Sequence, residues 1–324
     1  MKLSICIVNY NSGGLLETCL NSIKLFPPSF DYEIIVIDNN SYDKSYLCAN
    51  QFHNVRLIHN SDNLGFAKAN NQAFAISQGE YFLMLNADTE VQSKALDELI
   101  TFAETHPRAG LISAKLFNPD GSPQIGFNVR RLPNLSMAFA QLIMLDEIFP
   151  RNPITRSAGC WELDYNQPQM VEQPAASALL LRRTAWKEVG GFDTVFSNWY
   201  NDCDLCKRVR DSGWQIWFCP FAHIMHYGGM GSASRPVVDV TIEVYRSMRS
   251  YYLKHHGLFC YQSISSMIML GMVLRVVIIY INPTLEKMVN SHALKEDILA
   301  QRRAFWSVFK DTLKSFVSLQ KKFV

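Results

Sequence analysis

The strongest constraint on this chain is the way short apolar runs alternate with helical patterns over its first third. Leu3–Val8 reads as a strand, and Ser12 as the cap of a helix whose apolar face is Leu15, Leu16, Cys19, Leu20 and Ile23 before Pro27-Pro28 stops it. Glu33–Ile37 and Val55–Ile58 are further strands with a polar helix between them, and another helix opens near Gly65 and runs to about Ser77. Tyr81–Leu85 is the central apolar strand, and a helix from Ser93 to His106 is closed by Pro107. Strands alternating with helices of this length predict an α/β fold, a mostly parallel, doubly wound sheet covered on both faces.

Such a sheet collects ligands at the carboxyl ends of its strands. Three polar loops fall there, Asn9-Tyr10-Asn11, Asp38-Asn39-Asn40 and Asn86-Ala87-Asp88, and a fourth, Asn63-Leu-Gly-Phe-Ala67, opens a helix. Asp88, with the oxygen of Asn86 two residues away, suits a hard divalent ion that substrate phosphates also hold. The alternative is that Asp88 caps the helix beginning near Ser93. Free N–H groups at the start of the fourth loop's helix would suit a phosphate, with Gly65 allowing close approach and Lys68 adding charge one turn in. Tyr10 would stack on a base, and Asp38 would accept a hydrogen bond from a pyrimidine imide. Each residue singly also reads as a turn former, a cap or a solvated side chain. Four such loops at one sheet edge favour a nucleotide site. No Gly-x-Gly-x-x-Gly or Walker sequence is present to suggest a dinucleotide or P-loop site.

From 118 to 172 the pattern is irregular: the turn Asn118-Pro-Asp-Gly121, the pair Arg130-Arg131, facing phosphate or water, and an apolar patch Met137–Leu145. An insertion of this kind beside a cleft reads as a binding loop or lid. Ala178–Leu181 is a strand, Thr184 begins a short helix ending on Gly190-Gly191, and Phe196-Ser-Asn-Trp-Tyr200 leads into Asn201-Asp-Cys-Asp-Leu205. On a helix, Asp204 lies four residues before Arg208, an ion-pair spacing. Asp202 instead shares a face with Leu205 and Val209 and points toward the body of the protein. General base and helix cap are its two readings. His226 would ligate a metal, contact a phosphate or serve the structure alone. Cys203-x-x-Cys206 followed by His223-x-x-His226 imitates a zinc site with gaps poorly suited to a finger.

Hydrophobic residues make up 48% of the 324, enough for a packed core and against disorder. The net charge of +2 is divided unevenly, about +6 over residues 236–324 and about −4 before them. That asymmetry suggests an acidic or membrane-surface partner for the tail, and no nucleic-acid partner is expected. Eight scattered cysteines fit a reducing compartment. No secretory leader is read, because Met1-Lys2 runs directly into a strand.

In the tail, Val237, Val240, Val244, Met248 and Tyr251 recur at helical spacing beside Arg246, Arg249 and Lys254. This describes an amphipathic helix packing on the first domain, its basic side near phosphate or lipid head groups. Ile264 to Ile281 is apolar but carries Arg275, which makes it borderline for a spanning helix. After Pro283, Lys287, Lys295, Arg302, Arg303, Lys310, Lys314, Lys321 and Lys322 are interleaved with Phe305, Trp306 and Phe309. Basic and aromatic residues mixed in this way describe an interfacial helix on an anionic leaflet. The expected division is therefore a sheet domain over 1–235 and a helical, membrane-associating region over 236–324. Peripheral or monotopic attachment at the cytoplasmic face of the inner membrane is preferred to a span. A helical dimer interface is the alternative.

Seven motifs now occur in order: Ile5-Cys-Ile-Val-Asn-Tyr-Asn11, Val36-Ile-Asp-Asn-Asn-Ser41, Asn63-Leu-Gly-Phe-Ala67, Leu85-Asn-Ala-Asp88, Gly190-Gly-Phe-Asp193, Asn201-Asp-Cys-Asp-Leu205 and His226-x-x-Gly-x-x-Ser232. Together they resemble the motifs of family 2 inverting glycosyltransferases with the GT-A fold, particularly the rhamnosyltransferase-like branch, over residues 3 to about 256. Each motif alone is weak, and their order is specific.

The resemblance implies a nucleoside-diphosphate sugar donor, first of all dTDP-rhamnose. Its acceptor would be a polyprenyl-diphosphate-linked or glycan hydroxyl, in O-antigen or cell-envelope polysaccharide assembly. Tyr10 and Asp38 would hold the donor's base, with Asn63 and Gly65 near its ribose and diphosphate, and Asn9, Asn11, Asn40, Phe66 and Lys68 are further donor-binding candidates. Asn86 and Asp88 would complete the donor site, Asp88 holding Mg²⁺ or Mn²⁺ with His226 as a further ligand. Asp202 would deprotonate the acceptor hydroxyl, and Trp199, Arg246 and Arg249 are candidate acceptor or phosphate contacts. Two departures stand out: Asn201 replaces the usual acidic residue, and Asn86 leaves Asp88 the metal motif's single carboxylate. A sugar nucleotidyltransferase is disfavoured because Asn9-Tyr-Asn-Ser-Gly-Gly14 lacks Lys and Arg. A non-catalytic, membrane-attached sugar-nucleotide binder is the other rival.

Overall fold

Strand β1 (Leu3–Asn9) lies between β2 (Tyr32–Asp38) and β4 (Tyr81–Asn86), parallel to both, and β3 (Val55–His59) extends the parallel set beyond β2. The computed structural model describes residues 1–149, 151–228, 235–281 and 292–323. Gly229, Ser232, Pro283 and Lys287, named above, lie outside them, as do the side chains of Lys295, Lys321 and Lys322. Helix α1 (Leu15–Leu25) follows β1, a short 3-10 helix (Ser45–Gln51) follows β2, α2 (Gly65–Ile76) follows β3, and β5 (Thr89–Val91) and α3 (Ala95–Thr105) follow β4. The chain continues through β6 (Ala109–Phe117), β7 (Val129–Arg130), α4 (Leu135–Leu142), α5 (Leu145–Ile148), α6 (Pro153–Ala158), β8 (Gln169–Met170), β9 (Gln173–Pro174) and β10 (Ala178–Arg182). It ends with α7 (Arg183–Val189), α8 (Asn201–Asp211), β11 (Gln215–His226), α9 (Val237–Ile281) and α10 (His292–Phe323).

The main sheet runs β3-β2-β1-β4-β10-β6-β11-β5, with β8 pairing β11. The parallel block of the first third is as read from the sequence. β10 then enters antiparallel between β4 and β6, and β5 and β8 lie antiparallel to β11, so the whole sheet is mixed.

Alternate side chains of the apolar strands point to opposite faces, and each face has its own cover. Ile5, Ile7, Leu83 and Leu85 pack with Leu16 and Leu20 of α1 and Leu96 and Leu99 of α3. Cys6, Ile35, Phe82 and Met84 pack with Ala67 and Ala73 of α2, Trp186 of α7, and Leu205 and Val209 of α8. This is why those strands read as unbroken apolar runs.

Three local expectations change. Ser12 does not cap α1, because its hydroxyl donates to Asn9 Oδ1 and Gly14 occupies the cap position without a side-chain bond. The polar helix after β2 is the 3-10 turn. Asp88 does not cap the following helix, since β5 intervenes and the helix starts at Ala95.

The molecule divides into two units, Met1–Leu132 with Ser157–Ser234, and Pro133–Arg156 with Arg235–Val324. The second is helical. In α9, Gly257 (φ 79°) breaks the helix, and beyond it Ile264, Ile268, Met272 and Val276 form a buried stripe at four-residue spacing. Arg275, whose charge argued against a span, is buried and donates Nη1 to the Leu142 carbonyl at 2.7 Å and Nη2 to that of Gln141 at 2.8 Å. Its charge thus meets carbonyls at the C-terminal end of α4, that of Gln141 being shared with Met144 N at 3.2 Å.

Arg246 and Arg249, expected beside acceptor or phosphate, both bind the Asp311 carboxylate instead, and Arg249 is only 4% exposed. Burial pushes the Asp311 carboxyl up, but the two guanidinium groups outweigh it and hold the group below its ordinary value. Leu270, Val273, Leu274 and Val277 on α9, and Trp306, Leu313 and Val317 on α10, remain exposed. By length and composition, Val237–Val277 is long and apolar enough to cross a membrane.

Candidate active site

Strand register brings the polar loops to one level. Asn9 pairs across with Asp38, and Val8 with Asn86, so the loop after β1 lies between those after β2 and β4. Asp38 is fully buried and accepts four protein hydrogen bonds, from Asn9 Nδ2 (2.7 Å), Ser41 Oγ (2.6 Å), Ser41 N (3.0 Å) and His59 Nδ1 (2.8 Å). Its carboxylate therefore organises the loop from inside. Asn9 is buried within the same network. Asn11 (φ 50°) accepts from Tyr42 N at 2.9 Å, and its Nδ2 is buried without an acceptor among the described residues. Tyr10 is half-buried, and Asn40 (φ 63°) is exposed.

The helix start at Gly65 differs from its expected use. Asn63 Oδ1 accepts from Gly65 N (2.9 Å), Asn198 Oδ1 from Phe66 N (3.1 Å), and the Ser197 carbonyl from Ala67 N (2.9 Å). The first N–H groups of α2 are thus satisfied by protein, leaving none of these three for a phosphate. Gly65 (φ 81°) is needed for a different close approach: a Cβ there would lie 3.1 Å from Ser197 Cβ and 3.3 Å from the Ser197 carbonyl. Phe66 packs edge-on to Phe192, and Lys68 is exposed.

On the other side of β4, Asn86 donates Nδ2 to Ser177 Oγ at 3.3 Å. β11 pairs antiparallel with β5 so that His226 faces Thr89, which sets its ring beside Asp88. His226 Nε2 lies 3.5 Å from Asp88 Oδ1, and both residues are buried. On the far side of the ring, Gln124 Oε1 is 2.9 Å from Nδ1, and Phe127 stacks on the ring at 5.2 Å between centroids. Two ligands at right angles on one ion, each about 2.1 Å from it, stand about 3 Å apart. The Asp88 oxygen and His226 nitrogen fit that spacing. Among the described residues no three His, Cys, Asp or Glu side chains come together. A divalent ion held by this pair would have one carboxylate and one imidazole from the protein, with water and substrate phosphates as its other ligands.

Asp202 opens α8, beyond which Leu205 and Val209 are buried in the core as the helical face predicted. Its Oδ2 accepts from Gln173 Nε2 at 2.7 Å and pairs with Arg130 Nη2 at 3.1 Å, while Oδ1 accepts from Cys203 N at 2.8 Å. Arg130, read as facing phosphate or water, is thus held by this carboxylate and also lies over the Phe127 ring. Asp204 makes the expected pair with Arg208, at 2.7 Å and fully buried on the carboxylate side. Asn201 turns its Oδ1 onto Asp202 N, and Trp199 Nε1 is a buried donor without an acceptor among the described residues. Burial, and after it the Asp202 charge, pushes the Cys203 and Cys206 thiols well up, so both remain protonated inside the core.

One run of contacts therefore joins Asp88 to Asp202: carboxylate to imidazole, imidazole to the Phe127 ring, ring to Arg130, and guanidinium to carboxylate. Gln124, Phe127 and Gln173 were not found from the sequence. Their one signal was that they belong to the irregular segment and its exit beside the cleft.

Residues 4–153 match the model of the family described as Glycosyl transferase family 2. The chain is 29% identical over 252 residues to the N-acetylglucosaminyl-diphospho-decaprenol L-rhamnosyltransferase of Mycobacterium tuberculosis, covering 72% of this chain and 78% of that one. Among solved structures it resembles GalNAc-T7 with UDP, GalNAc and Mn²⁺, at a TM-score of 0.55 and 15% identity. That likeness covers 78% of this chain but 48% of the other. It also resembles the mannosyltransferase PcManGT from Pyrobaculum calidifontis in complex with GDP-Man and Mn²⁺, at a TM-score of 0.53 and 14% identity. Here the cover is 96% of this chain and 87% of the other. The family match over residues 4–153, this relative and the fold already described support a family 2 glycosyltransferase with a GT-A-like fold.

Proposed function

We propose that the protein is a metal-dependent, inverting glycosyltransferase that moves a sugar from a nucleoside-diphosphate donor to a hydroxyl of a lipid-linked or cell-envelope glycan precursor. dTDP-rhamnose is the first donor to try, because the mycobacterial relative is named as a rhamnosyltransferase acting on a diphospho-decaprenol. The observation that carries the reading is the contact run from Asp88 through His226, Phe127 and Arg130 to Asp202 at one sheet edge.

Asp88 and His226 would hold Mg²⁺ or Mn²⁺, which supplies charge neutralisation for the departing nucleoside diphosphate. Asn11 Nδ2 and Trp199 Nε1, buried donors without an acceptor among the described residues, suit the oxygen-rich donor or acceptor. Arg130 and Gln173 fill Oδ2 of Asp202, and Oδ1, which accepts from Cys203 N, is the oxygen that would take the acceptor's proton. As that proton leaves, the acceptor oxygen forms a bond to the anomeric carbon while the bond to diphosphate breaks on the opposite face, which inverts the centre.

The exposed apolar residues of α9 and α10, with Arg303, Lys310 and Lys314 interleaved, support peripheral attachment of the helical unit to an anionic membrane surface at the cytoplasmic face. A dimer made through that unit is the competing use of the same residues.

The test is release of nucleoside diphosphate by membranes containing the protein, with dTDP-rhamnose, UDP-sugars and GDP-sugars in turn, lipid-linked acceptor, and added metal or chelator. Release with one donor, lost on chelation, in Asp88→Ala and in Asp202→Asn, is the expected result. Nucleotide binding without release from any donor, once several acceptors have been tried, would move the protein to the non-catalytic binding class.

A further inference from the structure

We propose that Gln124 is a positioning residue whose carboxamide locks His226 in the tautomer that offers Nε2 to the metal. The proposal rests on the reading of Asp88 and His226 as the metal's protein ligands. Gln124 reaches His226 twice: its Nε2 lies 2.8 Å from the His226 carbonyl oxygen, and its Oε1 lies 2.9 Å from Nδ1. A backbone carbonyl only accepts, so the end of the carboxamide facing it is the NH₂ group. The end facing the ring is then the oxygen, which also only accepts, and the proton between them belongs to Nδ1. Neutral imidazole with its proton on Nδ1 has a lone pair on Nε2, the atom that faces Asp88 at 3.5 Å.

A second, independent set of bonds fixes the same orientation. Asp120 accepts from the Ser122 hydroxyl (2.6 Å), Ser122 Oγ accepts from Asn118 Nδ2 (2.9 Å), and Asn118 Oδ1 accepts from Gln124 Nε2 (2.9 Å). A carboxylate can only accept, so each link in this relay runs one way, from the His226 ring through Gln124 and Asn118 to Ser122 and Asp120. The turn Asn118–Ser122, unassigned by the sequence, thereby acquires a purpose. Phe127, stacked at 19° on the ring face, restrains the ring's rotation about the same position. Without the relay, Nε2 would be free to carry the proton and donate it to Asp88, which would close both groups to a metal.

The test measures Mn²⁺ affinity by the electron paramagnetic resonance signal of free Mn²⁺, in the presence of dTDP, for wild type, Gln124→Leu, Gln124→Glu, Asp88→Ala and His226→Ala. Gln124→Leu is expected to weaken Mn²⁺ binding by about 10- to 100-fold, the usual effect of removing a metal ligand's hydrogen-bond partner. Gln124→Glu keeps an acceptor opposite Nδ1 and is expected to bind Mn²⁺ at least as well as wild type. In the metal-free protein, ¹H–¹⁵N correlation of the His226 ring should show the proton on Nδ1 in wild type and Gln124→Glu. If Gln124→Leu melts early, the tautomer of wild type and the rescue by glutamate still decide the question.

Wild-type affinity in Gln124→Leu, equal losses in both Gln124 variants, or a proton on Nε2 would overturn the proposal while leaving the metal site intact. Unchanged affinity in Asp88→Ala and His226→Ala would instead remove the metal reading, and the role of Gln124 with it.

Discussion

Asp202 Oδ2 carries two donors, Arg130 and Gln173, and neither is near it in sequence. The arrangement argues for a carboxylate held in one pose rather than a helix cap. Replacing Asp202 with Asn keeps the shape but removes the carboxylate proposed above as the proton acceptor. Turnover should fall by roughly 10²–10⁴-fold, the usual worth of a general base, with nucleotide binding by calorimetry unchanged. Loss of nucleotide affinity in the same proportion would point to a binding role. Arg275 makes a different case at the same scale. Its guanidinium is buried and satisfies two carbonyls at the end of α4. Arg275→Ala takes the side-chain donor from the Leu142 carbonyl, leaving that of Gln141 to Met144 N alone, and should cost about 1–3 kcal/mol in the helical unit, read by chemical denaturation. A wild-type midpoint would show that water replaces the side chain at no cost.

At the scale of elements, the start of α2 shows how a familiar pattern is put to another use. Asn-x-Gly before a helix suggests phosphate binding, yet here Asn63, Ser197 and Asn198 supply the acceptors and tie the helix to the loop before α8. Asn63→Ala removes one cap and should lower stability by about 1 kcal/mol. Gly65→Ala should lower it further, because φ 81° disfavours a Cβ and Ser197 stands 3.1 Å from where it would be. Thermal melts of both variants check the order; Gly65→Ala melting above Asn63→Ala would contradict it. β10 makes a related point. It was visible as an apolar strand, but nothing within Ala178–Arg182 says that it runs antiparallel, because direction depends on where the preceding chain has been carried.

For the whole molecule, two units with different surfaces predict two separable behaviours. The helical unit should carry the chain to lipid: wild type should float with vesicles containing anionic lipid, and changing Leu270, Val273, Leu274 and Val277 to Ser should leave it in solution. Flotation independent of those four side chains would shift the exposed face to the dimer reading. All eight cysteines are free, and only Cys48 and Cys260 are partly exposed. Burial pushes the Cys19 thiol up to about 12 and Cys48 to about 11, and the other buried thiols described here are raised by the same cause. Because the thiolate is the reactive form, no more than two thiols should react quickly with a disulfide reagent in the native protein, against eight after unfolding. Fast reaction of a third would mean that the sheet unit opens locally.

The sequence by itself determined what is local. Apolar periodicity marked the parallel strands and their helices, and the polar residues ending those strands marked the sheet edge where the candidate site lies, because both signals lie within a few residues of chain. It also marked Asp88 and His226 singly, and Asp202 by the helical face it shares with Leu205 and Val209. Tertiary structure alone decided what surrounds them. Gln124 stands 102 residues from His226, and Arg130 stands 72 from Asp202. No period or motif spans such separations, so those partners are chosen by where the irregular loop is folded back. The same holds for Arg246, Arg249 and Arg275, whose charges suggested phosphate or a barrier to insertion. Their carboxylate and carbonyl partners come from remote helices, and only packing could bring them together.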